Sequence, residues 1–125
     1  MGYFLIDETK DSVSVNFWNW GALHEVVRAA GVFPDEVWGP LRGSFGPPLS
    51  AEHVARLRDF LKTQVLPRTT PGARVLLTGE VTNEPDDGKM HYEESEQWKN
   101  YSLTHEVLCE VIKFLDRAEG PVRVQ

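Results

Sequence analysis

The sequence predicts an α+β protein, a two-layer sandwich in which three to four helices cover a small sheet of about four strands. Three observations carry this prediction. Residues 103–119 have the apolar spacing of an amphipathic helix, residues 3–17 resemble a β-hairpin, and the apolar run 74–81 is typical of a buried strand. At this length we expect a single domain over residues 1–125.

The N-terminal hairpin is predicted from two short segments. Residues 3–6 are an apolar run, and a polar turn follows them. Residues 12–17 then alternate, so that Val13, Val15 and Phe17 share one face of a strand.

The first helix is predicted to begin after a cap at Asn19 and to end at Gly31, where glycine accepts a left-handed backbone. Its apolar stripe consists of Leu23, Val26, Val27 and Ala30. Pro34 and the two acids after it predict a short second helix through Trp38.

Residues 39–48 are predicted to form a loop, because three glycines and three prolines occupy ten positions. We expect Leu41 and Phe45 to pin this loop to the core. Ser50 is the expected cap of a third helix, which ends near Pro67. The apolar stripe of that helix consists of Val54, Leu57, Leu61 and Val65.

The last third of the chain is predicted to be strand, loop, helix and strand. Residues 74–81 are the expected central strand, and a long polar loop separates them from the terminal helix. Ser102 is the expected cap of that helix, and Gly120 marks its end. Residues 122–124 are apolar enough to return to the sheet as its last strand.

The net charge of −6 lies in one segment of the chain. Residues 80–96 hold seven acids and one base, whereas the rest of the chain holds twelve of each. Nucleic-acid binding requires a basic surface, so we expect no nucleic-acid partner.

The sequence predicts a cytoplasmic protein. It has one cysteine, Cys109, which excludes an intramolecular disulfide. The first residues lack the basic and apolar regions of a signal peptide, and no run approaches the roughly 18 apolar residues of a membrane span. We therefore expect no membrane association.

The candidate functional site is the acidic loop, defined as residues 83–98. Long loops in compact domains are usually functional or disordered. Three interpretations stay open: a surface that docks onto a basic protein partner, a site where carboxylates bind a metal or act as acid and base, and a solvated loop without a role. The spacing does not match an EF-hand, and the sequence assigns no catalytic residue, metal or cofactor. The expected partner-binding residues are Glu84, Asp86, Asp87, His91, Glu93, Glu94, Glu96 and Trp18.

Trp18 is included because its phase in the strand pattern is opposite to that of Phe17. Phe17 is expected to pack in the core, whereas Trp18 is the candidate for an exposed contact or a pocket wall. Trp38, Trp98 and Tyr101 are further aromatic residues that could line such a pocket.

His105 and Cys109 lie one helical turn apart, which suits a metal-ligand pair or a Cys–His nucleophile. A nucleophile pair requires contact between the two side chains and a third group that orients the base. His24 and His53 could converge on the same place. The other interpretation is that these residues pack at the edge of the core.

Three blocks of sequence resemble a family of small bacterial proteins. The blocks are residues 15–20 (VNFWNW), 81–88 (VTNEPDDG) and 100–102 (NYS). The resemblance implies one domain of this length, and it brings no activity or catalytic residues with it. A small acidic α/β protein is also similar in kind to immunity proteins that neutralise bacterial toxins, by analogy of class and not by motif.

The sequence therefore predicts a bacterial protein-interaction module, with an immunity-type inhibitor as one form of it. The alternative is a small-molecule or metal-dependent enzyme with the acidic loop as its active site and Trp18 or Trp98 as pocket walls. A third interpretation is a structural subunit in which the loop only improves solubility.

Overall fold

The computed structural model describes residues 2–43, 46–86 and 88–125. Within these residues the chain forms six strands and four α-helices, which confirms the predicted α+β class. The elements are β1 (Gly2–Ile6), β2 (Ser12–Asn16), α1 (Phe17–Ala29), α2 (Asp35–Trp38), α3 (Ala51–Phe60), β3 (Arg74–Leu76), β4 (Val81–Thr82), β5 (Ser102–Thr104), α4 (His105–Arg117) and β6 (Arg123–Val124).

The first sheet joins the two ends of the chain in the order β2-β1-β6. The predicted hairpin is confirmed: β1 and β2 are antiparallel, with Tyr3 opposite Val15. β6 pairs with the other edge of β1, where Leu5 lies opposite Val124. The expected last strand therefore does return the chain to a sheet.

The prediction of one strand over 74–81 is wrong, and so is the single sheet of about four strands. The segment folds back on itself to give β3 and β4, and β5 completes a second antiparallel sheet in the order β4-β3-β5. Gly79 permits this turn because it has a φ of 91°. Its backbone N–H donates to the carbonyl of Leu76 over 2.8 Å, and the N–H of Leu76 donates to the carbonyl of Glu80 over 2.8 Å.

Two predicted helix caps are wrong by two or three residues. α1 is capped by Asn16, whose Oδ1 accepts the N–H of Asn19 over 2.8 Å, so Phe17 belongs to the helix and not to the strand. α4 is capped by Thr104, whose hydroxyl accepts the N–H of Val107 over 3.1 Å. Ser102 lies two residues before this cap, at the start of β5, where the backbone is still extended and paired with β3.

The third helix follows the prediction more closely. Ser50 caps α3 by accepting the N–H of His53 over 3.1 Å. After α3 the chain continues as a π-helical turn at Leu61–Val65 and a 3₁₀ turn at Leu66–Arg68. The 3₁₀ turn includes Pro67, the residue at which the helix was expected to end. All four residues of the predicted stripe are buried, namely Val54, Leu57, Leu61 and Val65.

A common hydrophobic core unites the two sheets. α1 contacts β1, β2 and β5, and α4 contacts β2 and β5, so both helices touch strands of both sheets. The largest fully buried side chains in the described residues are Trp20, Trp38 and Phe114. Burial of such aromatic side chains is the main stabilising contribution in a domain of this size.

Leu41 pins the loop after α2 as predicted. It is fully buried, and its carbonyl accepts the indole N–H of Trp20 over 3.1 Å. Phe45, the other residue expected to pin this loop, lies outside the described residues.

None of the helices in the described part of the chain combines the length and apolar character needed to cross a bilayer.

Candidate functional site

The acidic loop is anchored to the second sheet at its start. The guanidinium Nε of Arg74, on β3, donates to the carbonyl of Glu84 over 2.9 Å. The N–H of Glu84 donates to the hydroxyl of Thr82, on β4, over 3.1 Å. These bonds fix the point at which the loop leaves the sheet.

Asn100 closes the far end of the loop. Its side-chain oxygen accepts the N–H of His91 over 2.8 Å, and its side-chain NH₂ donates to the carbonyl of His91 over 2.9 Å. Both backbone groups of His91 are therefore held by one amide side chain. A 3₁₀ helix at Glu94–Asn100 fills the rest of the loop.

Most of the predicted acids face solvent. Glu84, Asp86, Glu93 and Glu94 are exposed, and the Glu96 side chain is half-exposed. His91 is more enclosed, with 18% of its side chain exposed and its Nδ1 3.8 Å from Glu96 Oε2. Asp87, which the sequence placed in the same surface, lies outside the described residues.

The loop also exposes large apolar side chains, which the sequence interpretation missed in part. The described residues hold four exposed large hydrophobic side chains, and three of them lie in this loop: Met90, Tyr92 and Trp98. Tyr92 is 82% exposed, the highest value of the four. The sequence did contain a signal for this exposure. Met90 and Tyr92 lie in a polar segment that has no helical or strand-like apolar stripe, so nothing indicates that they are buried.

Glu96, Trp98 and Lys99 form a small cluster on the 3₁₀ helix. The ammonium of Lys99 lies 3.1 Å from Glu96 Oε1 and 5.8 Å from the centroid of the Trp98 ring. Residues three apart eclipse each other on a 3₁₀ helix, which brings Glu96 and Lys99 together. The cluster thus already holds one cation beside a carboxylate and an indole.

A cleft of about 270 Å³ lies between this cluster and the second sheet. Its walls include Arg74, Glu84, Asp86, His91 and Trp98. Pockets for drug-sized ligands are usually about 300–1,000 Å³, so the cleft lies just below that range.

A second cleft of about 310 Å³ links Trp18 to the acidic loop, since Asp86 and Arg74 line both clefts. Trp18 is half-buried, with its ring 5.1 Å from Phe17 and 5.0 Å from Tyr101 in edge-to-face contact. The structure therefore places Trp18 at the border of the acidic loop, with its ring packed against Phe17 and Tyr101.

His105 and Cys109 touch, with Cys109 Sγ 3.5 Å from His105 Nε2. The hydroxyl of Thr69 lies 3.1 Å from the carbonyl of Leu66 and 2.8 Å from Nδ1 of His105. In the tautomer that carries its proton on Nδ1, the Nε2 lone pair faces the thiol. The contact and the orienting group that a Cys–His pair requires are both present.

The other two histidines do not join this pair. His24 is buried against Trp38, with stacked rings 4.8 Å apart and Nε2 donating to the Trp38 carbonyl over 2.8 Å. Burial lowers the pKa of His24, because an enclosed site disfavours the charged ring. His53 packs its ring against Phe33 at 5.4 Å. Among the described residues, no group of three or more His, Cys, Asp or Glu side chains is arranged to hold a metal ion.

Comparison with known protein families, with curated proteins and with solved structures finds no match for this chain. The resemblance to a family of small bacterial proteins therefore stays a prediction. Function is argued below from the site alone.

Proposed function

We propose that this chain is a protein-interaction module that docks its acidic loop onto a basic surface of a protein partner. The observation that supports this most is the coincidence of exposed carboxylates and exposed apolar side chains on one anchored loop. Three of the four exposed large hydrophobic side chains in the described residues lie among the acids of residues 83–98.

The two kinds of side chain serve different parts of binding. Aromatic residues and methionine are enriched at the centres of protein interfaces, where Met90, Tyr92 and Trp98 would be covered. Carboxylates around them attract a basic surface over a distance and select against acidic partners. A solvated loop without a role has no need of exposed tryptophan and tyrosine.

The anchors of the loop also favour docking. Ordering a loop on binding lowers affinity, because its conformational freedom is lost. Here the Arg74–Glu84 bond and the two bonds from Asn100 to His91 hold the loop before any partner arrives. A pre-ordered loop loses less freedom on association.

Among such modules, we propose an immunity-type inhibitor of a cationic bacterial protein, acting in the cytoplasm. This narrower form relies on analogy of class and on the charge of the loop. The single cysteine agrees with a reducing compartment.

The proposal is tested by capture from a bacterial lysate with three baits. The first is the wild-type protein. The second has the six loop acids changed to Gln or Asn: Glu84, Asp86, Asp87, Glu93, Glu94 and Glu96. The third, a control of equal net charge, has six exposed acids outside the loop changed in the same way: Glu8, Asp35, Glu36, Glu52, Glu110 and Glu119.

We expect the wild type and the control bait to retain the same basic protein, and the loop-neutralised bait to lose it. Equal retention by all three baits would overturn the proposal. Loss from both variants would indicate that net charge, and not the loop, governs capture.

The enzyme alternative rests on the two clefts that meet at Asp86. Its metal-dependent form predicts that calcium, magnesium or zinc raises the melting temperature. The bound ion would stabilise the fold by about 2.7 kcal/mol at a hundredfold excess over its dissociation constant. A flat response to all three ions and to chelator would remove that form.

A further inference from the structure

The ammonium of Lys99 lies beside the Glu96 carboxylate and the Trp98 ring of the acidic loop. It lies 3.1 Å from Glu96 Oε1 and 5.8 Å from the centre of the Trp98 ring. All three side chains are open to solvent, with 40% of Lys99 and 47% of Glu96 exposed. The cluster stands at the cleft whose walls include Trp98 and Lys99, the acids Glu84 and Asp86, and also the basic side chain of Arg74.

This internal contact is easily displaced. Exposed ion pairs contribute little to stability, because both charges are already well solvated. The distance from Lys99 to the ring is close to the outer limit of about 6 Å for a cation–π contact. A partner cation that binds better can therefore take the place of Lys99 with little loss to the fold.

An arginine side chain has the chemistry to do so. Its planar guanidinium stacks on an indole and bonds a carboxylate through two parallel N–H groups, whereas a lysine ammonium is a strongly hydrated point charge. Glu96 supplies the carboxylate and Trp98 the ring. The cleft of about 270 Å³ beside them has room for such a side chain.

We infer that Glu96 and Trp98 form a receptor for an arginine side chain of the basic partner, and that Lys99 fills this receptor in the free protein. The inference rests on the proposed function, because it names the group by which the partner is held. It assigns Lys99 the role of an internal competitor.

The test uses two labelled peptides in fluorescence anisotropy at low ionic strength. Both are short and lysine-rich, and they differ only in a central residue, which is arginine in one and lysine in the other. The proteins are the full-length wild type, Lys99→Met, Lys99→Arg and Trp98→Leu. Lys113→Met, which removes an exposed charge on α4, is the matched control for net charge.

We expect Lys99→Met to bind the arginine peptide about fivefold more tightly than Lys113→Met does, as the loss of a weak competing contact implies. Lys99→Arg keeps the charge and competes better, so it weakens binding of the arginine peptide below the wild-type affinity. Trp98→Leu removes the preference for the arginine peptide over the lysine peptide.

The outcomes separate this inference from the proposed function. Equal affinity for both peptides, with Lys99→Arg equal to the wild type, overturns the arginine receptor but leaves docking by the acidic loop intact. The loop-neutralised variant with six acids changed is measured alongside. If that variant binds both peptides as tightly as the wild type, or if no protein binds either peptide, the proposed function and the inference both fail.

Discussion

Val111 provides the sharpest test of how α4 holds the fold together. Its side chain is 0% exposed, and it belongs to the buried face of the helix with Leu108, Ile112, Phe114 and Leu115. Val111→Ala removes two methyl groups, at about 0.8 kcal/mol each for lost burial, and leaves a cavity. We expect the free energy of unfolding to fall by about 2–3 kcal/mol. Val111→Asp instead buries an unpaired carboxylate, a penalty of several kcal/mol that is comparable to the roughly 5–15 kcal/mol stability of a whole domain.

The assay is urea denaturation followed by circular dichroism and tryptophan fluorescence. Val111→Asp should show no cooperative transition, and Val111→Ala should keep the transition at a lower midpoint. Lys113→Asp is the control, because it places the same charge on the exposed side of the same helix, where the helix dipole makes it unfavourable by at most about 1 kcal/mol. An unchanged transition in Val111→Asp would refute the assignment of this face to the core.

Three further predictions follow from individual contacts. The folded-state pKa of His24 is lowered, chiefly by burial, so its contribution to stability is present above pH 6.5 and is lost as the pH falls below that value. The melting temperature of His24→Gln should therefore drop less between pH 7.5 and pH 5.5 than that of the wild type. An equal drop in the two proteins would contradict this. The pKa of Asp7 is lowered, chiefly by the hydroxyl of Thr9, which donates to it over 2.7 Å. Stability from Asp7 is therefore present above pH 3.8 and lost below it, so Asp7→Asn should be less stable than the wild type at pH 7 in urea titrations, with a smaller difference at pH 3. Alkylation of Cys109 by iodoacetamide at neutral pH should be slower in His105→Gln, because the thiol loses the imidazole that lies 3.5 Å from its sulfur; equal rates measured by intact mass would show that the contact is only structural.

The sequence predicted the long elements because their periodicity reflects one buried face. α4 and the N-terminal hairpin depend on local patterns of this kind. The caps were harder, since Asn16 and Asn19, or Ser102 and Thr104, are all good capping residues. Pairing of Ser102–Thr104 with β3 keeps the chain extended up to Thr104, and that contact is remote in sequence.

The division of residues 74–81 into two strands could not be predicted from an alternation of apolar and polar residues. β3 has three residues and β4 has two, which is too short for a period of two to be read. The turn depends on the positive φ of Gly79, a conformation that a lone glycine in an apolar run suggests only weakly.

The exposure of the acidic loop was predictable from its charge, but the contacts within it were not. Clustered acids indicated an exposed loop, as found for Glu84, Asp86, Glu93 and Glu94. The contact of Lys99 with Glu96 depends on the 3₁₀ geometry of Glu94–Asn100, which the sequence alone does not specify.

The most direct test of docking by the acidic loop is the rate of association with the captured partner as ionic strength rises. Attraction between exposed charges is screened over about 8 Å at physiological salt, so a docking loop makes this rate fall steeply as salt is added. We expect a steep fall for the wild type and for the control with six acids changed outside the loop, and a shallow one for the loop-neutralised variant. The same slope for all three proteins would contradict the proposal that the loop guides binding.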